Sequence, residues 1–534
     1  MDLPVGYKKQ LNPSIARRSS SAQTSFLAIT ISALLILVSS CSSPSPKHAL
    51  NKTGSSYISS GPTSTTLATL SNNWPTYDRT ISRSGIDTSS PQAVDTSPAW
   101  TDPIASKVYA QPLIVNGHVI IADEGDNVTS INLSTGQVVW SVNLGTPVNG
   151  ATLPCGNINP SGITGTPVAD PAANKLWVVA FLSGQSSGQS ANSSNSLGTG
   201  PTTSTTSTST TLPPTTTSPI GQGLSPSTTG VYTPPPHHEL FALSLTNGSI
   251  LSRQNIDPAG TDPSVEQQRG ALTLANGYLY IPYGGLYGDC GDYHGYLLAV
   301  AINFKAPTLT FQTPAAYQAG IWDPPGAIVI GGGDILVASG NGASTNTYDG
   351  GNTVTELSQL LGTLSTFTPS NSMALNQDDL DLGSTNPVLI PGGYIFIAGK
   401  QGVGYILNAS NLGGIGGQLY EGEVCAKGAM GGAIYSGGYI YISCNSGLVA
   451  LKVTKTTFSI QWQSEPGLAG PPIISGGNVW YVDISSGNLY GLNPLTGQVV
   501  NDYTLGDVVN FTTPAASNGY LIVVGGGLIQ AFNE

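Results

Sequence analysis

An apolar run, a Gly- or Asn-containing turn and a second apolar run recur eight times between residues 112 and 525. The copies are PLIVNGHVIIA (112–122), PVADPAANKLWVVA (167–180), ALTLANGYLYIP (271–282) and GAIVIGGGDILVAS (326–339). They continue as PVLIPGGYIFIAG (387–399), GAIYSGGYIYIS (432–443), PPIISGGNVWYVD (471–483) and TPAASNGYLIVVG (513–525). NG and GG between β-rich runs mark tight hairpins, because such turns need positive φ. The last turn glycines, from Gly393 through Gly438 and Gly477 to Gly519, are 45, 39 and 42 residues apart. Four short strands with their loops fill that length, which is one propeller blade.

A third strand follows each hairpin and runs into an outer one, as in VTSINLSTGQVVW (128–140), LFALSLTNGSILS (240–252) and LYGLNPLTGQVVN (489–501). The eighth copy stops after three strands, at LIQAFNE (528–534). SPAWTDPI (97–104) offers the missing one, with Trp100 placed as Trp140 and Trp462 are in their own blades. The expected fold is all-β: an eight-bladed β-propeller of four-stranded antiparallel blades, closed by an N-terminal strand. Closure on the last blade protects both sheet edges.

The chain outside the repeats reads as address and spacer. Lys8, Lys9, Arg17 and Arg18 precede a 13-residue apolar run, Phe26 to Val38. That is too short to span a bilayer and right for a signal-peptide core. It ends in Val38-Ser39-Ser40-Cys41. This resembles a bacterial lipobox, which implies removal of residues 1–40 and lipidation of Cys41. The export expected is anchorage to the outer side of a bacterial cell membrane through lipid alone. Residues 41–70 form a Ser/Thr/Pro/Gly tether, and 71–534 the propeller. A second such tract, 184–236, carries no charged side chain and interrupts one repeat. It cannot bury enough apolar surface to offset ordering and reads as a disordered insert.

Without the leader the chain holds 13 basic and 28 acidic residues, and no basic block. That excludes a nucleic-acid surface. Charged residues make up only 9% of the chain, against ~25% in ordinary globular proteins. An acidic external medium is one reading of that deficit. Four cysteines remain after Cys41: Cys155, Cys290, Cys425 and Cys444. Three pairings are open by count. Cys155 and Cys290 lie in loops expected on one face, and Cys425 and Cys444 flank the start of blade six there, so Cys155–Cys290 and Cys425–Cys444 are the expected bridges.

Residues 128–140 and 489–501 resemble the pyrroloquinoline quinone (PQQ) repeat unit A-L-D-x-x-T-G-x-x-x-W, with Asn132 and Asn493 at its Asp and Asn501 at its Trp, and WPTYDRTISRSG (74–85) is similar to the segment before such propellers. That family includes quinoprotein alcohol dehydrogenases, outer-membrane assembly scaffolds and many uncharacterised envelope proteins. GIWDPPGAIVIGGGDILVASGN (320–341) is similar to the quinoprotein stretch ending in a calcium-binding Asn, which falls on Asn341. The family's catalytic Asp falls on Gly351, with Asp349 two residues early as a displaced base. QDDLDLGSTNP (377–387) resembles the family's acidic stretch, with Asp379 and Asp381 as candidate calcium ligands. The adjacent cysteine pair that caps the quinone has no counterpart here.

The second strands should end on the face that carries the blade-to-blade loops. Asp123, Lys400 and Asp483 fall there, as does GDCGDYHG (288–295) with Asp289, Asp292 and His294. These form the candidate ligand face. No G-x-S-x-G or H-E-x-x-H occurs, which leaves hydrolysis without a motif. The sequence favours a monomeric, lipid-anchored, non-catalytic binding or scaffold module for an envelope protein or a small ligand, needing no cofactor. The alternative is a PQQ- and calcium-dependent, alcohol dehydrogenase-like oxidoreductase.

Overall fold

The computed structural model describes residues 72–90, 97–184 and 235–533. The leader, Cys41, the tether and residues 185–234 of the insert lie outside the described residues. Every repeat forms a four-stranded antiparallel sheet with its strands in chain order. Blade one is Leu113–Val115, His118–Ala122, Asn127–Asn132 and Val138–Asn143. Blade eight takes Ala515–Ser517, Tyr520–Gly525 and Leu528–Asn533 from the end of the chain, and Trp100–Pro103 from its start. Trp100 pairs with Ala531 and Pro103 with Leu528. Blades three and four each carry a fifth strand beyond the repeat, Glu266–Gln267 and Gly414–Ile415.

The ring is held by what lies between the blades. One apolar cluster joins blades one and two through Ile120, Trp140, Val178 and Phe241. Others join each neighbouring pair onward, and the last packs Trp480 and Val482 with Ile522, Phe532, Val119 and Ile131, so blade seven reaches blade one through blade eight. Second strands such as Asn478–Asp483 are buried along their whole length because both sheet faces are covered. Outer strands such as Val499–Thr504 alternate with solvent.

The T-G turn and the tryptophan of the repeat work together across blades. The indole N–H groups of Trp100, Trp140 and Trp462 donate to Leu133, Leu245 and Pro494 carbonyls in the turn of a neighbouring blade, at 2.8, 3.0 and 2.9 Å. Each ring covers a turn glycine. A Cβ on Gly136, Gly248 or Gly497 would come within 2.9, 2.5 or 2.6 Å of it. The same glycines have φ near +70°, so both backbone and packing exclude a side chain. Trp100 shows that the N-terminal strand docks as the other outer strands do.

Residues 72–87 cross the inner strands. Trp74 exchanges main-chain hydrogen bonds with Ile114, and Pro75, Ile81 and Gly85 accept from Ala169, Val329 and Ile474 at 2.7–2.9 Å. Tyr77, Asp78 and Arg83 are buried at the centre of the ring. No helix among the described residues is long and apolar enough to cross a membrane.

Candidate functional site

Two bridges fix the loop face. Cys155 joins Cys290 with Cα atoms 6.0 Å apart, tying the blade one-to-two connection to the long loop of blade three. Cys425 joins Cys444 at 5.5 Å. In the first loop Asp289 has φ +52° and accepts a 2.8 Å hydrogen bond from Tyr293 Oη. Asp292 is exposed. His294 turns the other way: its backbone N–H donates to Glu266 Oε1 at 3.0 Å, and its Nδ1 meets Gln312 Nε2 of the outer strand at 3.1 Å.

Asp123 and Asp483 occupy equivalent places, where the second strand ends. Both cap their own turns. Asp123 accepts from Gly125 N at 2.8 Å and from Asn127 Nδ2 at 3.0 Å. Asp483 accepts from Ser485 N at 2.9 Å and Ser486 Oγ at 2.8 Å. Short acidic side chains make such turns routinely.

The other candidates meet. Lys400 Nζ lies 2.5 Å from Asp381 Oδ2 and 3.3 Å from Asp379 Oδ1. Burial works against its charge, but the Asp381 carboxylate and then Asp379 outweigh it and hold the ammonium above its ordinary pKa. Asn341 donates from Nδ2 to Asp379 Oδ1 at 2.9 Å and from its backbone N to Asp381 Oδ1 at 2.6 Å. Its side-chain oxygen accepts from Asn352 Nδ2 at 2.9 Å. Asn352 also donates to Asn376 at 2.8 Å and accepts from Leu382 N at 2.6 Å. Asp289 is close enough that Asp381 and Asp379 join partial desolvation in raising its pKa, against the Tyr293 hydrogen bond. Asp349 stays apart, folded back on Ser344 N and Gly351 N at 2.7 and 3.0 Å.

Beside this network is an aromatic mouth on the ring axis. Lys400 Nζ sits 5.5 Å from the Trp322 ring centroid, and the Arg269 guanidinium 5.6 Å from it. Arg269 lies 4.6 Å from the Phe511 centroid, and the two rings are 6.5 Å apart. Tyr109, Thr164, Thr166, Pro324 and Asn510 complete a cavity of about 10 Å³. Larger depressions, of about 410 and 540 Å³, lie at the seam of blades eight and one and around Asn116 and Asn518. Trp322, Arg269 and Phe511 stand in segments that lead into inner strands of three different blades. The scarcity of basic residues, 17 in the chain, is the one sequence signal that points to Arg269.

A calcium ion and a flat quinone do not fit these residues as they are arranged. The Asn341 oxygen and both carboxylates are committed to N–H donors or to Lys400. Among the described residues no group of three or more His, Cys, Asp or Glu side chains is placed to hold a metal ion. A 10 Å³ mouth takes about one water, whereas small-molecule sites run to ~300 Å³ and more.

Residues 88–212 match the family model described as outer membrane protein assembly factor BamB. The fold is that of a PQQ-type eight-bladed propeller. The crystal structure of BamB from Moraxella catarrhalis superposes with a TM-score of 0.53 at 12% identity, covering 83% of this chain and all of that one. The quinohemoprotein alcohol dehydrogenase ADHIIG from Pseudomonas putida gives 0.61 at 11% identity, covering 86% of this chain and 80% of that one. A europium-containing methanol dehydrogenase gives 0.59 at 11%, covering 86% and 98%. At such identities the likeness is one of fold. No curated protein matches the chain significantly.

Proposed function

We propose that this propeller is a binding or scaffold module that presents its disulfide-fixed loop face to a protein or small ligand, without turning over a substrate. One observation carries the reading. The place where the quinoprotein resemblance puts calcium holds the chain's own ammonium, Lys400, closed around by Asp379, Asp381 and Asn341. Gly351 stands where that resemblance puts the catalytic base, and Asp349 is spent within its own loop. The BamB-type match supports a protein-facing role. Purified protein incubated with PQQ and calcium is expected to show no quinone absorbance after desalting and no alcohol-dependent dye reduction. Turnover above the cofactor-only control would install the dehydrogenase reading instead.

The anchoring part of the proposal rests on Val38-Ser39-Ser40-Cys41. Cells expressing the full chain are expected to hold it in the membrane fraction and label it with palmitate. Cys41→Ser should release it unlabelled. Label that persists in Cys41→Ser would sink the lipobox assignment.

A further inference from the structure

We propose that Arg269 is a carboxylate-binding site at the axial mouth of the loop face, taking the planar carboxylate of an acidic side chain or of a small organic acid. The site deepens the binding reading given above and rests on it for its biological use.

Arg269 lies in the QQRG (267–270) lead-in to the inner strand of blade three, where Gln268 Nε2 is tied to the Gly270 carbonyl at 2.6 Å. The guanidinium is packed against Phe511 at 4.6 Å and reaches Trp322 at 5.6 Å. Stacking of this kind covers the faces of the fork and leaves its N–H edges, the part that pairs with carboxylates. Among the described residues Arg269 makes no hydrogen bond or ion pair, so those donors are unspent. The nearest carboxyl in electrostatic reach is Glu124, whose Oε2 is already committed to Gly162 N at 2.7 Å. Burial lowers the Arg269 pKa to about 10, so it remains a cation at neutral pH. An unpaired charged donor at the edge of a low-dielectric site draws an anion strongly.

The surroundings select the class of anion. The void beside the guanidinium is about 10 Å³, enough for one or two oxygen atoms, with the stem of the ligand left outside. A flat carboxylate enters edge-on, whereas a tetrahedral phosphate dianion is too bulky. Thr166, Asn510 and Tyr109 line the same space and supply hydroxyl and amide groups to the second oxygen. Phe511 and Trp322 give an apolar rim for the stem.

The test is isothermal titration calorimetry of the full folded chain at pH 8 with sodium acetate, with acetamide as the uncharged match, and with capped tripeptides holding a central Glu or Gln. Acetate and the Glu peptide are expected to saturate, and acetamide and the Gln peptide are not. Arg269→Gln should weaken both by at least tenfold, Arg269→Lys by less, and Lys455→Gln, an exposed lysine, not at all. A Glu peptide that binds tenfold tighter than acetate identifies a protein partner, and equal affinities identify a free acid; both support the site. No saturation by either carboxylate, or binding unchanged in Arg269→Gln, overturns it. Should Arg269→Gln fail to fold, the ¹⁵N signal of Arg269 Nε in the native chain decides, moving with acetate and not with acetamide. Quinone-dependent turnover would remove the non-catalytic reading and leave this titration unaffected.

Discussion

Arg83→Met is expected to lower the unfolding free energy by about 3–5 kcal/mol, the range for breaking a buried charged network on one side. The readout is the guanidinium chloride midpoint with the slope unchanged. Arg83 is 2% exposed and makes four short hydrogen bonds from the centre of the ring. Nε donates to the Pro325 carbonyl at 2.8 Å, Nη1 to Thr76 Oγ1 at 2.8 Å and the Tyr77 carbonyl at 3.2 Å, and Nη2 to Thr273 Oγ1 at 2.6 Å. It thereby ties the 72–87 segment to blades three and four. Methionine fills similar volume and donates nothing, so the buried Pro325 and Tyr77 carbonyls lose this donor, while Thr76 and Thr273 keep only their own bonds to the Leu272 and Ala327 carbonyls. Asp78 and Asp323 also lose the one cation that acts against the burial raising their pKa values. Main-chain bonds from the same segment reach blades one, two, four and seven, so loosening it touches most of the ring. A midpoint shift worth less than about 1 kcal/mol would show that the blades hold the ring without this bolt.

The fold was legible because its signals are local and repeated. Eight hairpin turns and the T-G turns mark strand ends, and Trp100 marks the strand that completes blade eight although it lies more than 400 residues from its partner Ala531. The site was legible only in part. Asp379, Asp381 and Lys400 stand 21 residues apart or less on adjoining loops, and a family-like acidic stretch drew attention to them. Arg269, Trp322 and Phe511 meet because the ring closes, and no pattern within any one blade links them. Counting acidic residues on the loop face also overstates the site. Asp123 and Asp483 recur at the same blade position because the turn after the second strand needs a cap there. His294 faces outward for the same geometric reason that Tyr293 faces in, since neighbours alternate along an extended chain.

Thermal stability is expected to be higher near pH 5 than near pH 8, the reverse of ordinary acid unfolding. Burial pushes the Asp126 carboxyl up to about 9, with Glu124 and Asp123 adding to it. Burial likewise takes Asp78 and Glu266 to about 8, and Glu124 and Asp323 to about 7. Among the described residues both Asp126 oxygens, Glu124 Oε1 and Glu266 Oε2 find no hydrogen-bond partner, which a neutral carboxyl tolerates far better than an anion. The folded chain keeps these protons, and the unfolded chain gives them up from about pH 4. Their contribution is therefore complete below pH ~4 and is lost as pH rises toward the folded values of 7 to 9. Each group tilts the balance by about 1.4 kcal/mol per pH unit over its own window. Asp257 acts in the opposite sense: burial would raise it, but the His238 hydrogen bond and charge hold it low, so its contribution is lost as pH falls. One such group stands against five. Calorimetric melting at fixed ionic strength from pH 4.5 to 8.5 should show the midpoint falling, and Asp126→Asn should flatten the slope. A midpoint that climbs steadily with pH would mean these carboxyls are ionised in the folded state. A chain with 9% charged residues and its deepest acids protonated has few carboxylate pairs for acid to break, which is the balance an acidic medium demands.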